Sequence, residues 1–334
     1  MTALPSQRVL VTGGAGYIGS VVVDQLLQRG HTVVVLDDLS RGHRAAVARD
    51  ASFIQGGIGN RELVEALLER ERIEAIIHLA AYALVPESVA QPQMYVTNNV
   101  TAARVLLEAA GKTGVRRFVF SSSCAVYGHP ATVPIVEDTP QAPVNPYGET
   151  KRDFERLLAE YAPRYGLSVV SLRYFNAAGA TERRGEDHDP ETHLIPNVLG
   201  AALGTRPAVD VFGTDYPTPD GSAVRDFVHV VDIADAHVAA LDVRLEGIGP
   251  YAVNLGTGTG HSVRDVIDIA RRVTRKTIPA REQPRRPGDP PVLVAAVQRA
   301  AELLRWRAAH SSLEEILESA WRWHQAHPQG YRGG

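Results

Sequence analysis

Short apolar runs alternate with stretches of helical spacing from the start of the chain. Arg8-Val9-Leu10-Val11-Thr12 and Thr32-Val33-Val34-Val35-Leu36 are continuous, β-branched and too short for helices, so both predict buried strands. Between them, Ser20 to Leu27 predicts a helix. Leu63, Leu67 and Leu68 fall on one face of a helix over 61–70. Ala75-Ile76-Ile77-His78-Leu79 predicts the next strand, and Val96, Val100, Ala103, Leu106 and Leu107 predict a helix over 92–111. A strand over 117–121, a helix over 147–161 and a strand over 167–172 continue the alternation. Repeated strand–helix units of this kind predict an α/β fold with a doubly wound parallel sheet, whose ligands bind at the strand C-termini. Beyond Asn176 the regularity breaks. Gly, Pro and charged residues dominate 179–190 and 213–221, which read as pocket-shaping loops. Two strand-like pieces return at 227–230 and 251–255, and segments near 225–257 are expected to rejoin the first sheet.

Composition narrows the class without deciding it. The 334 residues are 44% hydrophobic and 22% charged, and 35 Lys and Arg stand against 38 Asp and Glu for a net charge of −3. That balance favours neither nucleic acid nor an acidic-tail function. Cys124 is the only cysteine, so no intrachain disulfide forms. Met1-Thr2-Ala3-Leu4-Pro5 has no charged region followed by an apolar one, and no apolar stretch approaches membrane-spanning length. The expectation is a soluble cytoplasmic protein with no membrane partner.

The first strand runs into Gly13-Gly14-Ala15-Gly16-Tyr17-Ile18-Gly19 and then a helix. Gly13, Gly16 and Gly19 suit a tight turn, close approach of backbone to phosphate, and close helix packing. Strand, turn and helix in that order predict a dinucleotide site with the pyrophosphate at the helix N-terminus. Asp37 ends the second strand, where its carboxylate accepts from ribose hydroxyls and repels a 2′-phosphate, favouring NAD over NADP. Arg41, a few residues on, is the counter-argument. Downstream, Ser123 precedes Tyr147 and Lys151, which are four residues apart and share a helix face. A tyrosine with a pKa of about 10 is a poor base at neutral pH. A nearby ammonium favours the phenolate, and Ser123 is placed to orient a reacting oxygen. The three together predict oxidation of a hydroxyl group by a nicotinamide cofactor.

The segments Val11 to Gly19, Ser121 to Gly128, Asn145 to Lys151, Leu172 to Gly179, Gly213 to Gly221, Val224 to Val230 and Pro284 to Asp289 run nearly end to end. In them the chain resembles the extended short-chain dehydrogenases/reductases and, more closely, the UDP-glucose (UDP-galactose) 4-epimerases. The resemblance implies a Rossmann-type NAD-binding domain over 1–175 and a smaller, interleaved nucleotide-sugar-binding domain over 176–334. It implies that Tyr147 takes a proton from the sugar 4-hydroxyl while hydride leaves C4, and that the 4-keto sugar turns over before the hydride returns. Ile58, Asn98 and Tyr174, with Tyr17, Ile18 and the catalytic pair, would contact NAD. Asn176, Arg225 and Arg286 would hold the diphosphate, Leu194 and Phe212 the uracil, and Asp289 the ribose. Leu293 aligns with a gate beside the sugar. Ser88 would lie near the sugar with Glu87, although helix capping by Ser88 is an equal reading. The helices over 92–111 and 147–161 would form a homodimer interface.

Two positions depart from the family pattern. Gly57 stands where an adenine-contacting Asp is common, and Ala83 where some relatives carry a lysine. Sugar-nucleotide dehydratases and decarboxylases need an acid just after Ser123, where this chain has Cys124 and Ala125. A net dehydrogenase or reductase, a non-catalytic nucleotide sensor, and epimerases of acetylated, pentose or uronate sugars remain as alternatives. His129, His188 and His193 show no metal-ligand spacing, and Glu186-Asp187-His188-Asp189 reads as a solvated loop.

Overall fold

The computed structural model describes residues 6–243, 245, 249–286 and 288–333. In chain order the first half contains β1 (Arg8–Thr12), α1 (Tyr17–Gln28), β2 (Thr32–Asp37), β3 (Ser52–Gln55), α2 (Arg61–Arg70) and β4 (Ala75–His78). Next come α3 (Val85–Ala90), α4 (Pro92–Val96), α5 (Ala103–Thr113), β5 (Arg117–Ser123), α6 (Pro146–Tyr165) and β6 (Ser168–Tyr174). The remainder holds β7 (Asn176–Ala178), α7 (Leu194–Leu203), β8 (Val209–Phe212), β9 (Val224–Arg225), β10 (Phe227–His229), α8 (Val230–Asp242) and β11 (Tyr251–Leu255). It ends with β12 (His261–Ser262), α9 (Val263–Thr274), β13 (Ala280–Gln283), β14 (Val292–Leu293) and α10 (Leu313–Ala326). Among the described residues, no helix is long and apolar enough to cross a membrane.

Seven strands form one sheet in the order β11-β6-β5-β4-β1-β2-β3, with every neighbouring pair parallel. Alternate residues of a strand face opposite sides, and both sides are buried here. Val9, Val11, Val33 and Val35 join one core with the helices α1 and α8, while Leu10, Val34 and Leu36 join the other with α2, α5 and α6. That two-sided burial is why these strands read as continuous apolar runs. The order reverses at β1, so the C-terminal ends of β1 and β4 flank the crevice where doubly wound sheets bind ligands. A third core joins Val198, Leu199, Val211, Ile267, Leu317 and Trp321 from α7, β8, α9 and α10.

The returning pieces divide. β11 adds to the large sheet beyond β6, as expected, but β10 pairs only with β7 in a separate two-stranded ribbon. The helix expected over 92–111 is also modified, because residues Thr97–Ala102 widen into a π-helical turn between α4 and α5. There the buried Asn99 bonds both the N–H and the carbonyl of Tyr82 and also the Thr150 hydroxyl. Such widened turns mark places where a side chain competes with regular helix packing.

Candidate active site

The glycine turn leaves β1 at the crevice. Gly13 has φ +74°, and a Cβ there would lie 2.6 Å from the Ala80 nitrogen, just past β4. A Cβ on Gly19 would collide with the Gly13 carbonyl, so both glycines are demanded by the protein itself. Gly16 is different, with only the Gly13 oxygen near a Cβ at 3.3 Å. It caps α1 without a side-chain hydrogen bond, and no acid stands in the first helical turn. An uncapped, uncrowded helix start fits a pyrophosphate. Asp37 is buried and accepts from the Ala15 and Leu39 amides at 3.0 and 2.9 Å. Arg41 turns away from it, paired with the Glu87 carboxylate and bonded to the Asp189 carbonyl at 3.2 Å. The counter-argument against NAD therefore loses its charge.

The trio expected to be catalytic, Ser123, Tyr147 and Lys151, is assembled by β5 and α6. Asn145 accepts from the Gly148 amide at 2.9 Å and Pro146 follows it, a strong helix start that places Tyr147 in the first turn. Ser123 ends β5, accepts from the Ala125 amide at 3.2 Å, and interacts with the Tyr147 phenol. Lys151 donates to the Ser121 carbonyl at 2.7 Å, with its ammonium 5.7 Å from the Tyr147 ring centre. Burial lifts the Tyr147 pKa well above its ordinary value, helped by Tyr174, while the Ser123 hydrogen bond pulls it down. Burial also lowers Lys151 to about 7. In the free protein, burial opposes the phenolate expected beside Lys151. The pair is fully desolvated, and a proton acceptor there needs further positive charge or donated hydrogen bonds. Burial likewise pushes the Cys124 thiol up to about 12, so no acid follows Ser123.

A buried ion pair fixes this corner, and the sequence reading missed it. Arg173, in β6, grips Glu155 through two nitrogens at 3.0 and 2.6 Å, one helical turn beyond Lys151. Ser122 donates to Glu155 at 2.6 Å, and Arg173 also reaches the Tyr127 hydroxyl at 2.9 Å. The available signal was an arginine within an apolar strand and a glutamate on the Tyr147–Lys151 face.

The expected nucleotide contacts gather at the edge of the second unit. Arg225 and Leu293 pair across β9 and β14, and Leu293 packs in a buried cluster with Cys124 and Phe175. Asn176 follows Phe175 and donates its amide to the Asp226 carbonyl at 2.9 Å. Arg225 forms an ion pair with Asp289, and Arg286 lies 3.9 Å over the Phe212 ring centre. Leu194 opens α7 against the third core. Pro287, within one of the quoted motifs, lies outside the described residues.

Elsewhere the expectations meet different outcomes. Ile58 is buried in the core beneath β1 and β2. Asn98 sits on the widened turn, bonded to Asn99 at 3.0 Å. The Tyr17 hydroxyl donates to the Gly179 carbonyl at 2.6 Å, and Tyr174 lies 3.5 Å from the Ser121 hydroxyl. Ser88 does not cap a helix, because α3 begins after Leu84 and Ser88 donates within it to the Val85 carbonyl at 2.7 Å. The loop expected to be solvated is so only in part, with Asp189 exposed and Glu186 buried. Glu186 is buried with His188, Glu191 and His193 around it, and burial opposes charge on His193 while the two carboxylates hold its pKa at about 10. Spacing by short loop steps, without a helix or CxxC template, hid this cluster.

Comparison with known proteins gives one direction. The profile of the NAD dependent epimerase/dehydratase family matches residues 9–256. The UDP-glucose 4-epimerase of Lacticaseibacillus casei is 46% identical over 325 residues, 97% of this chain and 98% of that protein. The crystal structure of UDP-glucose 4-epimerase from Brucella ovis in complex with NAD has a TM-score of 0.91 and 46% identity, covering 95% of this chain and 98% of that one. The Bifidobacterium longum UDP-glucose 4-epimerase in complex with NAD+ and UDP has a TM-score of 0.92 and 36% identity, covering 97% and 99%.

Proposed function

Because the chain belongs to the NAD dependent epimerase/dehydratase family, we propose that it interconverts UDP-galactose and UDP-glucose by inversion at C4. The observation that carries this reading is the buried Ser123–Tyr147–Lys151 trio at the C-terminal edge of the sheet that also carries the glycine turn, with no acid at positions 124 and 125. Gly13 to Gly19, Asp37, Ile58 and Asn98 would hold NAD, and Tyr147, Lys151 and Tyr174 would meet its nicotinamide end. When bound, NAD supplies first the acceptor and then the donor of the C4 hydride. Tyr147 removes the 4-hydroxyl proton and later returns it, so its proton inventory closes over one cycle. Ser123 orients the reacting oxygen, and Lys151 supports the charge on Tyr147. A cationic nicotinamide bound beside Tyr147 would oppose the burial that raises its pKa.

Asn176, Arg225 and Arg286 take the diphosphate, for which guanidinium forks suit bidentate contacts. Leu194 and Phe212 hold the uracil, Asp289 the ribose, and Leu293 borders the sugar. The nucleotide is then anchored while the 4-keto sugar stays free to turn. A cytoplasmic homodimer completes the reading. It is supported by the lone buried Cys124 and by exposed Val96 on the α4–α5 unit, which packs against α6. Light scattering should return the mass of two chains.

The test is to incubate purified protein with UDP-galactose and no added cofactor, and to quantify UDP-glucose by chromatography. Conversion to a stable mixture, absent in Tyr147→Phe, is expected. No conversion, even with NAD supplied, sinks this substrate pair. Acetylated, pentose and uronate substrates in the same assay then decide among the sugars that Leu293 admits.

A further inference from the structure

Four donors from one loop meet at a point the proposed reaction does not use. The loop runs from β7 to α7 and carries Glu186, His188, Glu191 and His193, whose ligand atoms all lie within 4.8 Å of one another. His193 Nδ1 is 2.9 Å from Glu186 Oε1 and 2.9 Å from Glu191 Oε1. His188 Nδ1 is 3.2 Å from Glu186 Oε1 and 3.6 Å from Glu191 Oε2. A tetrahedron around a zinc ion with ligands at about 2.0–2.1 Å has edges of about 3.3 Å. The four separations straddle that edge. A second observation comes from His188, whose Nδ1 is closed off from solvent and has no hydrogen-bond partner. A Glu186 carboxylate oxygen nevertheless lies 3.2 Å from it. A lone pair directed at a shared central ion accounts for both facts.

We propose that Glu186, His188, Glu191 and His193 form a structural divalent-metal site, with zinc the cation its donors suit best. Two imidazole nitrogens argue against calcium and magnesium, which take oxygen ligands, and two carboxylates neutralise the ion. Closed four-coordination by protein leaves no position for a substrate, so the role is structural. A cavity of about 440 Å³ that Glu186, His324 and Arg332 help to line gives the ion a way in.

The place of the site says what it holds together. Upstream on the same loop, Gly179 accepts from the Tyr17 hydroxyl at 2.6 Å. Within it, the Asp187 carbonyl lies 2.9 Å from His43 Nε2, and the His43 amide in turn reaches the Ala15 carbonyl at 2.9 Å. Immediately after it, Leu194 begins α7. The metal thus clamps the glycine turn of the first unit to the opening helix of the second.

The test uses untagged, full-length protein dialysed against a chelator and then titrated with Zn²⁺ or Co²⁺ alone. The expected result is one equivalent bound per chain, visible bands of four-coordinate Co²⁺ and a melting temperature raised by several degrees. His193→Gln and Glu191→Gln should lose that equivalent, while His261→Gln keeps it. Failure of the folded wild-type chain to bind one equivalent overturns the proposal, as does equal binding by the His193 and Glu191 variants. Wild-type stoichiometry alone is decisive if a variant does not fold.

Discussion

The two ends of the site are built in opposite ways. At the end carrying Tyr147 and Lys151, polar groups are bonded to partners on neighbouring elements. Lys151 holds the Ser121 carbonyl, Ser123 holds Tyr147, and the Arg173–Glu155 pair pins the helix below them. At the nucleotide end the groups suited to a ligand are engaged with each other. Arg225 is paired with Asp289, and Arg286 covers Phe212. The first arrangement is preorganised, so little is lost to ordering when a sugar arrives. If the second takes UDP as proposed, it must exchange internal contacts for contacts to the ligand, which lowers net affinity. Chemistry that tolerates small displacements poorly sits on rigid elements, and recognition sits on exchangeable ones.

The strongest way to test the rigid end is at its centre. Tyr147→Phe should lower kcat by about 10²–10⁴-fold, the usual share of a positioned acid–base group, with UDP affinity retained. A turnover assay with UDP titration of the same sample separates the two quantities. Arg173→Met leaves Glu155 buried and unpaired, and should cost about 3–5 kcal/mol in urea denaturation. A loss below 1 kcal/mol would mean the corner is not held by this pair.

The exchangeable end should respond in affinity instead. Arg225→Met should weaken UDP binding roughly 10- to 100-fold, the scale of lost charge-assisted hydrogen bonds, with the C4 step little changed in bound substrate. Calorimetric titration with UDP checks it. Asp289→Asn sharpens the point: affinity falls if Asp289 holds the ribose, and rises if it acts only as a competitor for Arg225.

Lys151 offers a pH-dependent contrast. Its pKa is about 7 in the folded chain against an ordinary 10.5. Between those values the unfolded chain binds the extra proton, so folding stability gains as pH rises. Wild type should therefore gain on Lys151→Met across pH 7 to 10.5, measured by chemical denaturation at several pH values. The smallest effect is expected at Gly57, where a Cβ meets nothing within 4 Å. Gly57→Asp should fit and slow NAD release about fivefold, for about 1 kcal/mol of added hydrogen bonding. Unchanged NAD release would mean this position makes no adenine contact.

The strands of the large sheet were legible because burial on both faces leaves continuous β-branched runs such as Val33-Val34-Val35. The glycine turn and the Tyr147–Lys151 spacing were legible because each is a local geometric requirement written in adjacent residues. The two-residue strands β9, β12 and β14 have no periodicity to read, and their pairing comes from residues as far apart as Val224 and Val292. The Arg173–Glu155 pair was hidden for the same reason, since a charge is buried only once a distant partner is known. Ser88 misled because a serine near a helix start and a serine inside one look alike in sequence.

The most direct measurement is a crystal structure of the protein with NAD and UDP bound. The Arg225–Asp289 pair should open and Arg286 turn toward phosphate. Ser123, Tyr147, Lys151 and the Arg173–Glu155 pair should keep their present positions. An intact Arg225–Asp289 pair with UDP in place, or a catalytic corner that rebuilds itself on binding, would contradict the division between a rigid and an exchangeable end.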